Sequence, residues 1–281
     1  MSGTQGENQA PTIGVFDSGF GGLTVLRALI EKLPHAQFAF LGDTARLPYG
    51  SKSQRTIARY ASESAQFLVR EQGAEFLVIA CNTASALALD AIKDAVPVPV
   101  LGVIEPGAAA AKAASHTGDV LVIATDATVQ SHAYSAACAA QGLRAMEKAC
   151  PLLVPLVEEG WIDHPVTVEV IRIYLDELVR DVAKAGLNPD TLVLGCTHYP
   201  LLRRGIENAV PKGMRVIDSA EAAAEAAMRL VGMRGEQAES ALTSDPKLRF
   251  FATDSVEKFE RLGSRFLDRP VGRVGLVDLG G

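Results

Sequence analysis

No stretch of this 281-residue chain is long and apolar enough to cross a bilayer. Runs such as Pro151–Val157 fall far short of the roughly 20 residues a spanning helix needs, so no membrane partner is expected. The first residues, Met1–Pro11, carry neither the basic start nor the apolar core of a signal peptide. They read as a mobile tail on a cytoplasmic protein. Basic charge is also short: 27 Lys and Arg stand against 33 Asp and Glu, a net charge of −6, which argues against a broad nucleic-acid footprint. No Cys-x-x-Cys pair occurs among Cys81, Cys138, Cys150 and Cys196, and no nearby histidine completes a zinc spacing. In a reducing compartment the four are expected to be free thiols, and no metal site is expected. A dinucleotide fingerprint is missing too. Gly19-Phe20-Gly21 follows a strand, but the third glycine position holds Thr24.

What the sequence does have is a regular alternation of short apolar, β-branched runs with longer amphipathic stretches. Strands are expected at Thr12–Phe16, Gln37–Leu41, Phe76–Ala80, Val98–Val103, Val120–Ala124, Leu192–Gly195, Arg215–Asp218 and Leu248–Asp254. Helical patterns include Gly22–Lys32, Ser53–Gln72, Thr83–Val96, Val129–Gln141, Thr167–Ala185, Ala220–Gly232 and Ser255–Leu267, while Arg234–Lys247 is polar and turn-rich. The alternation predicts parallel sheets of the α/β class. A faint internal echo suggests two half-chains of one architecture. Thr12–Val25 runs from a strand into Asp-Ser and a helix, and Asp119–Ala133 runs from a strand into Thr-Asp and a helix. Phe76–Ala84 (FLVIACNTA) likewise resembles Thr191–Pro200 (TLVLGCTHYP), and the two echoes have similar offsets, 109 residues from Asp17 to Asp126 and 115 from Cys81 to Cys196. Crossings between the halves are expected near Ile104–Gly107 and Pro211–Met214.

The chemistry sits at the strand ends. Cys81 and Cys196 each lie just past an apolar strand and are each followed by polar residues, Asn82-Thr83 and Thr197-His198. Open parallel sheets bind ligands at the C-terminal ends of their strands. A following helix offers free N–H groups there, and its dipole favours anions and thiolates. The plain alternative for either cysteine is core packing. Two at matching positions favour a site. Asn82, Thr83 and Thr197 suit a substrate carboxylate or ammonium group, and helix capping as well. Asp17, in Asp17-Ser18-Gly19, would repel a pyrophosphate but suits an ammonium group or a general base beside a thiol. His198 can orient or activate a thiol. Asp43 stands where a ribose-binding acid would, but without the glycine fingerprint it implies no nucleotide.

The set Asp17-Ser18-Gly19, Gly42-Asp43-Thr44-Ala45-Arg46 with Pro48-Tyr49-Gly50, Cys81-Asn82-Thr83, Val157-Glu158-Glu159-Gly160 and Cys196-Thr197-His198-Tyr199-Pro200 resembles the glutamate racemases. The resemblance runs from about Ile13 to Leu267. It implies two similar α/β domains related by a pseudo-twofold axis, with glutamate bound between them. The division it implies here is residues 1–104 with 214–281 as one domain and 105–213 as the other. It implies chemistry with neither pyridoxal phosphate nor metal. By motif, Cys81 and Cys196 are the two acid/base thiols, helped by Asp17 and His198, with Glu158 a further acid near Cys196. Substrate binders by motif are Asp17, Ser18, Pro48, Tyr49, Gly50, Asn82, Thr83, Thr128, Thr197 and His198. The loop Ala124–Thr128 departs from the family, which carries glycines around these threonines, and Leu47, where Cys or Val is common, is expected to matter little. The activity implied is interconversion of L- and D-glutamate, supplying D-glutamate for peptidoglycan and so for cell-wall biogenesis and cell shape. Aspartate or hydantoin racemisation and non-catalytic amino-acid binding are the alternatives. A homodimer stays open as the assembly.

Overall fold

The computed structural model describes residues 10–232 and 247–280. The expectations for Met1–Gln9 and for most of Arg234–Lys247 lie outside the described residues. Among the described residues, ten strands and twelve α-helices follow one another. The first half holds β1 (Thr12–Asp17), α1 (Leu23–Lys32), β2 (Gln37–Gly42), α2 (Gln54–Arg70), β3 (Phe76–Ile79), α3 (Asn82–Leu87), α4 (Leu89–Ala95) and β4 (Val100–Gly102). Then come α5 (Ile104–Ala114), β5 (Asp119–Ala124), α6 (Asp126–Gln130), α7 (Ala133–Ala140), β6 (Arg144–Ala149), α8 (Leu153–Glu158) and α9 (Pro165–Ala185). The remainder is β7 (Thr191–Gly195), α10 (Arg203–Ala209), β8 (Arg215–Asp218), α11 (Ser219–Gly232), β9 (Leu248–Ala252), α12 (Val256–Leu267) and β10 (Val274–Leu276). None of the described helices is long and apolar enough to cross a membrane.

These strands form two sheets, ordered β10-β9-β2-β1-β3-β4 and β6-β5-β7-β8, with every pairing parallel. The order β2-β1-β3-β4 matches β6-β5-β7-β8 term by term, so the sequence echo is a repeat of topology. Cys81 follows β3 and Cys196 follows β7, which are equivalent strands. Helices cover both faces of a parallel sheet, and the central strands are accordingly apolar throughout: β3, β5 and β7 are buried at every residue. One apolar cluster continues from the first half (Val15, Leu26) through α11 (Ala220, Ala223, Ala224) to the second sheet (Leu121, Leu192). The alanines of α11 let it approach α1 and α5 closely, which ties the halves together behind the strand ends.

Three expectations need correction. The boundary at residue 214 cuts a strand pairing, because β8 hydrogen-bonds to β7 in the second sheet and the chain rejoins the first sheet only at β9. The expected helix Thr83–Val96 is broken at Ala88 (φ −132°, ψ −1°), and Val129–Gln141 at His132, which is left-handed (φ 54°). Two strands, β6 and β10, were not foreseen. Arg144, Glu147 and Lys148 hide β6, an edge strand whose charge is typical of edges.

Candidate active site

The strand ends of the two sheets meet around a cavity of about 380 Å³. Cys81 caps the N-terminus of α3, where its Sγ accepts the Ala84 N–H at 3.4 Å and donates to Ser18 Oγ at 3.4 Å. Burial pushes the Cys81 thiol up to about 12, the nearby Asp17 adds to this, and the contacts with Ser18 and Ala84 oppose it. At neutral pH this thiol is therefore protonated.

Cys196 has different company. Its Sγ lies 4.0 Å from His198 Nδ1, and His198 Nε2 lies 3.3 Å from Glu158 Oε1. The second Glu158 oxygen accepts from Lys258 Nζ at 3.4 Å. Burial by itself would lower the pKa of His198, but its contacts with Cys196 and Glu158 outweigh that and push it up to about 10. Burial works against ionising Glu158, yet His198 and Lys258 hold its carboxyl below the usual range. A buried imidazolium thus stands 4.0 Å from the Cys196 sulfur at neutral pH.

Replacing Glu158 by Gln removes one cause of this shift, so the His198 titration should move below about 10 toward the ordinary 6.5. Imidazole NMR reads this directly, and an unmoved midpoint would contradict the pairing. Because the folded-state value is raised, the stabilisation from His198 is complete below about 6.5 and is lost as pH climbs through about 10. In Glu158→Gln the loss should occur at lower pH.

The cavity wall brings together most of the residues singled out in the sequence: Ser18, Pro48, Tyr49, Gly50, Cys81, Asn82, Thr83, Glu158, Cys196, Thr197 and His198. Two expected substrate contacts stand one layer behind it. Asp17 is 1% exposed; one carboxylate oxygen accepts the Gly19 N–H at 2.9 Å, and the other is buried without a partner among the described residues. Burial raises its pKa above the usual carboxylate range, against the pull of the His198 charge and of backbone N–H groups. Thr128 is fully buried, with its hydroxyl 3.3 Å from Thr83 and 2.9 Å from Thr125; Thr83 and Thr125 are themselves 3.0 Å apart. This hydroxyl cluster joins the two halves. Leu47, expected to matter little, stands on the cavity wall.

Sequence reasoning missed Thr125, Asp126 and an apolar wall of Pro151, Val154 and Pro155. The repeat held the signal for the first two, since Thr125-Asp126 occupies the place of Asp17-Ser18 in the other half.

Tyr49 contributes to the wall mainly by holding a loop. Its phenol donates to Asp43 Oδ2 at 2.5 Å, and Asp43 also accepts from Arg46 Nε at 3.0 Å and Thr253 Oγ1 at 2.9 Å. Asp43 is therefore an anchor for the Pro48–Gly50 loop. Tyr49→Phe keeps the ring but leaves this fully buried carboxylate one donor short. Unfolding in urea should show a loss of about 1–3 kcal/mol. A stability equal to that of the parent would mean the bond contributes nothing.

No Lys or Arg lines the cavity among the described residues. A carboxylate entering it meets the hydroxyls of Ser18, Thr83, Thr125 and Thr197 and the amide of Asn82, with the His198 imidazolium the cation on the wall. Tyr134 donates to Asn82 Oδ1 at 2.6 Å, which fixes the amide orientation, while Asn82 Nδ2 is buried without a partner among the described residues. An unpaired buried donor in a cavity wall is suited to a ligand acceptor.

This geometry agrees with the kinship of the chain. The family model Asp/Glu/Hydantoin racemase matches residues 13–227. A glutamate racemase of Koribacter versatilis is 54% identical over 97% of this chain and 99% of its own length. The crystal structure of a glutamate racemase isoform from Bacillus anthracis superposes with a TM-score of 0.87 at 36% identity, covering 97% of this chain and 99% of that one. The glutamate racemase of Francisella tularensis, solved in complex with D-glutamate, gives 0.84 at 33% identity over 97% and 99%. The chain belongs to the Asp/Glu/Hydantoin racemase family, among its glutamate racemases.

Proposed function

We propose that this protein interconverts L- and D-glutamate without a cofactor, with Cys81 and Cys196 in opposed acid and base roles. The observation that carries this reading is the pair of thiols in one cavity, one from each half of the repeat, in unlike surroundings. Inversion at an α-carbon needs a proton removed from one face and another delivered to the opposite face. A single base tends to return the proton it took. One protonated thiol and one thiolate, on equivalent strands of two facing halves, meet the requirement.

Cys81 is the thiol held protonated, and Cys196 is the sulfur beside a cation. After one turnover the roles are exchanged, so each thiol serves as base for one enantiomer. Asp17 helps Cys81 from behind the wall, and His198, held by Glu158, helps Cys196. The α-proton is a very weak acid, so the developing carbanion needs fixed dipoles around the substrate carboxylate. Ser18, Asn82, Thr83, Thr125 and Thr197, with the Pro48–Gly50 loop, are the groups we assign to that work. The product suits supply of D-glutamate to peptidoglycan in the cytoplasm, and a homodimer is the assembly we carry forward.

The test is turnover by the purified protein with no cofactor added, with glutamate and aspartate assayed side by side by circular dichroism. Glutamate should racemise faster, and neither a chelator nor a carbonyl reagent should slow it. Activity lost on dialysis against chelator and restored by a metal ion would overturn the two-thiol reading. Faster turnover of aspartate would move the protein to another branch of the family.

A further inference from the structure

Thr24 occupies the position at which the glycine fingerprint fails, and it is not part of the cavity wall. It lies in the first turn of α1, 1% exposed. Its hydroxyl has two acceptors, Gly21 O at 2.9 Å and, across the interface between the halves, Thr197 O at 3.2 Å. Gly21 makes the same junction sterically. A Cβ there would collide with the Thr197 hydroxyl and would lie 2.6 Å from His198 Nδ1. Only a residue without a side chain leaves room there for the Thr197 and His198 side chains. Upstream in the same segment, Ser18 Oγ lies 3.4 Å from Cys81 Sγ. A single stretch of eight residues, Asp17–Thr24, therefore touches the surroundings of both thiols.

We propose that the Gly21–Thr24 turn is a positioning joint that holds the Cys196–His198 turn in register with Cys81, so that both thiols address one α-carbon. The proposal rests on the two-thiol reading above. Thr24 bonds the backbone carbonyl between Cys196 and His198, so it constrains the path of the chain carrying the sulfur. Gly21 sets how near that chain stands. Neither residue lines the cavity. Their effect is on alignment, to which rate is steeply sensitive: a misplacement of about 1 Å can cost roughly 10²-fold.

The test uses Thr24→Val, which keeps shape but removes the hydroxyl, with Thr24→Ser as the conservative variant and Gly21→Ala as a wedge. Kinetics and melting temperature are measured for each. Deuterium uptake at the α-carbon of unreacted substrate is measured in deuterated water as a ratio to racemisation. Thr24→Val should lose about tenfold in kcat, the size expected for one buried hydrogen bond, with KM little changed. Thr24→Ser should stay within about twofold of the parent, and Gly21→Ala should lose on the order of 10²-fold. The uptake ratio should rise in Thr24→Val and Gly21→Ala, because removal at one face continues while delivery from the other lags. The proton held on the abstracting thiol then has time to exchange.

A merely structural role would lower the melting temperature and leave that ratio unchanged, and this result would overturn the joint. So would parental kcat in Thr24→Val. If Thr24→Val does not fold, Thr24→Ala takes its place with the same readouts. A parent protein that does not racemise glutamate at all would defeat the two-thiol reading instead.

Discussion

Racemisation of glutamate should fall by about 10³-fold or more when either Cys81 or Cys196 is replaced by alanine, the range general acid–base catalysis commands. Cys138→Ala and Cys150→Ala should leave turnover nearly unchanged. All four thiols are buried, so burial does not separate the two pairs. Surroundings do. All four belong to apolar clusters, but Cys81 and Cys196 line the cavity and Cys138 and Cys150 do not. Burial pushes their thiols up to about 11 and about 12, the range it sets for Cys81 as well, so access to the cavity is what decides. The Cys81→Ala protein should retain some α-proton exchange on the one enantiomer that Cys196 attacks, and Cys196→Ala the reverse. Mixing the two variants should restore nothing, because both sulfurs line a cavity within one chain. Recovered activity on mixing would place the site between subunits.

Much of this arrangement can be read in the sequence, and the unread parts have physical reasons. Central strands of a parallel sheet are covered on both faces, so β1, β3, β5 and β7 stand out as apolar runs. The two cysteines stand out because strand ends are where such sheets bind ligands. Edge strand β6 does not stand out, since none of its residues is fully buried and Arg144, Glu147 and Lys148 interrupt its apolar pattern. The breaks at Ala88 and His132 are backbone conformations at residues with no glycine or proline to announce them. Sheet membership of β8 depends on which partner it meets, and its own residues suit either sheet. In the site, Asp17 and Thr128 have the residue types of substrate ligands, and only depth shows that they stand behind the wall. The Lys258–Glu158 contact joins residues 100 positions apart, and no local pattern marks it.

The isotope content of newly formed product should show the opposed roles most directly. In deuterated water the thiol that delivers a proton has already exchanged with solvent before substrate arrives. The thiol that abstracts one then holds the substrate's own proton, inside a cavity whose two cysteines are each only 5% exposed. That proton can return to the substrate, but it cannot reach the far face of the α-carbon. Product formed from either enantiomer should therefore carry almost exclusively deuterium at the α-carbon, while unreacted substrate stays largely unlabelled at low conversion. The prediction holds in both directions because each half of the repeat supplies one sulfur. The unlike partners of the sulfurs, Ser18 and Asp17 for Cys81 and the imidazolium of His198 for Cys196, affect the relative rates of the two directions and not the label. A single-base path would carry part of the original proton across. Mass spectrometry of early product decides between them: product retaining most of its protium would exclude a mechanism in which Cys81 and Cys196 act from opposite faces.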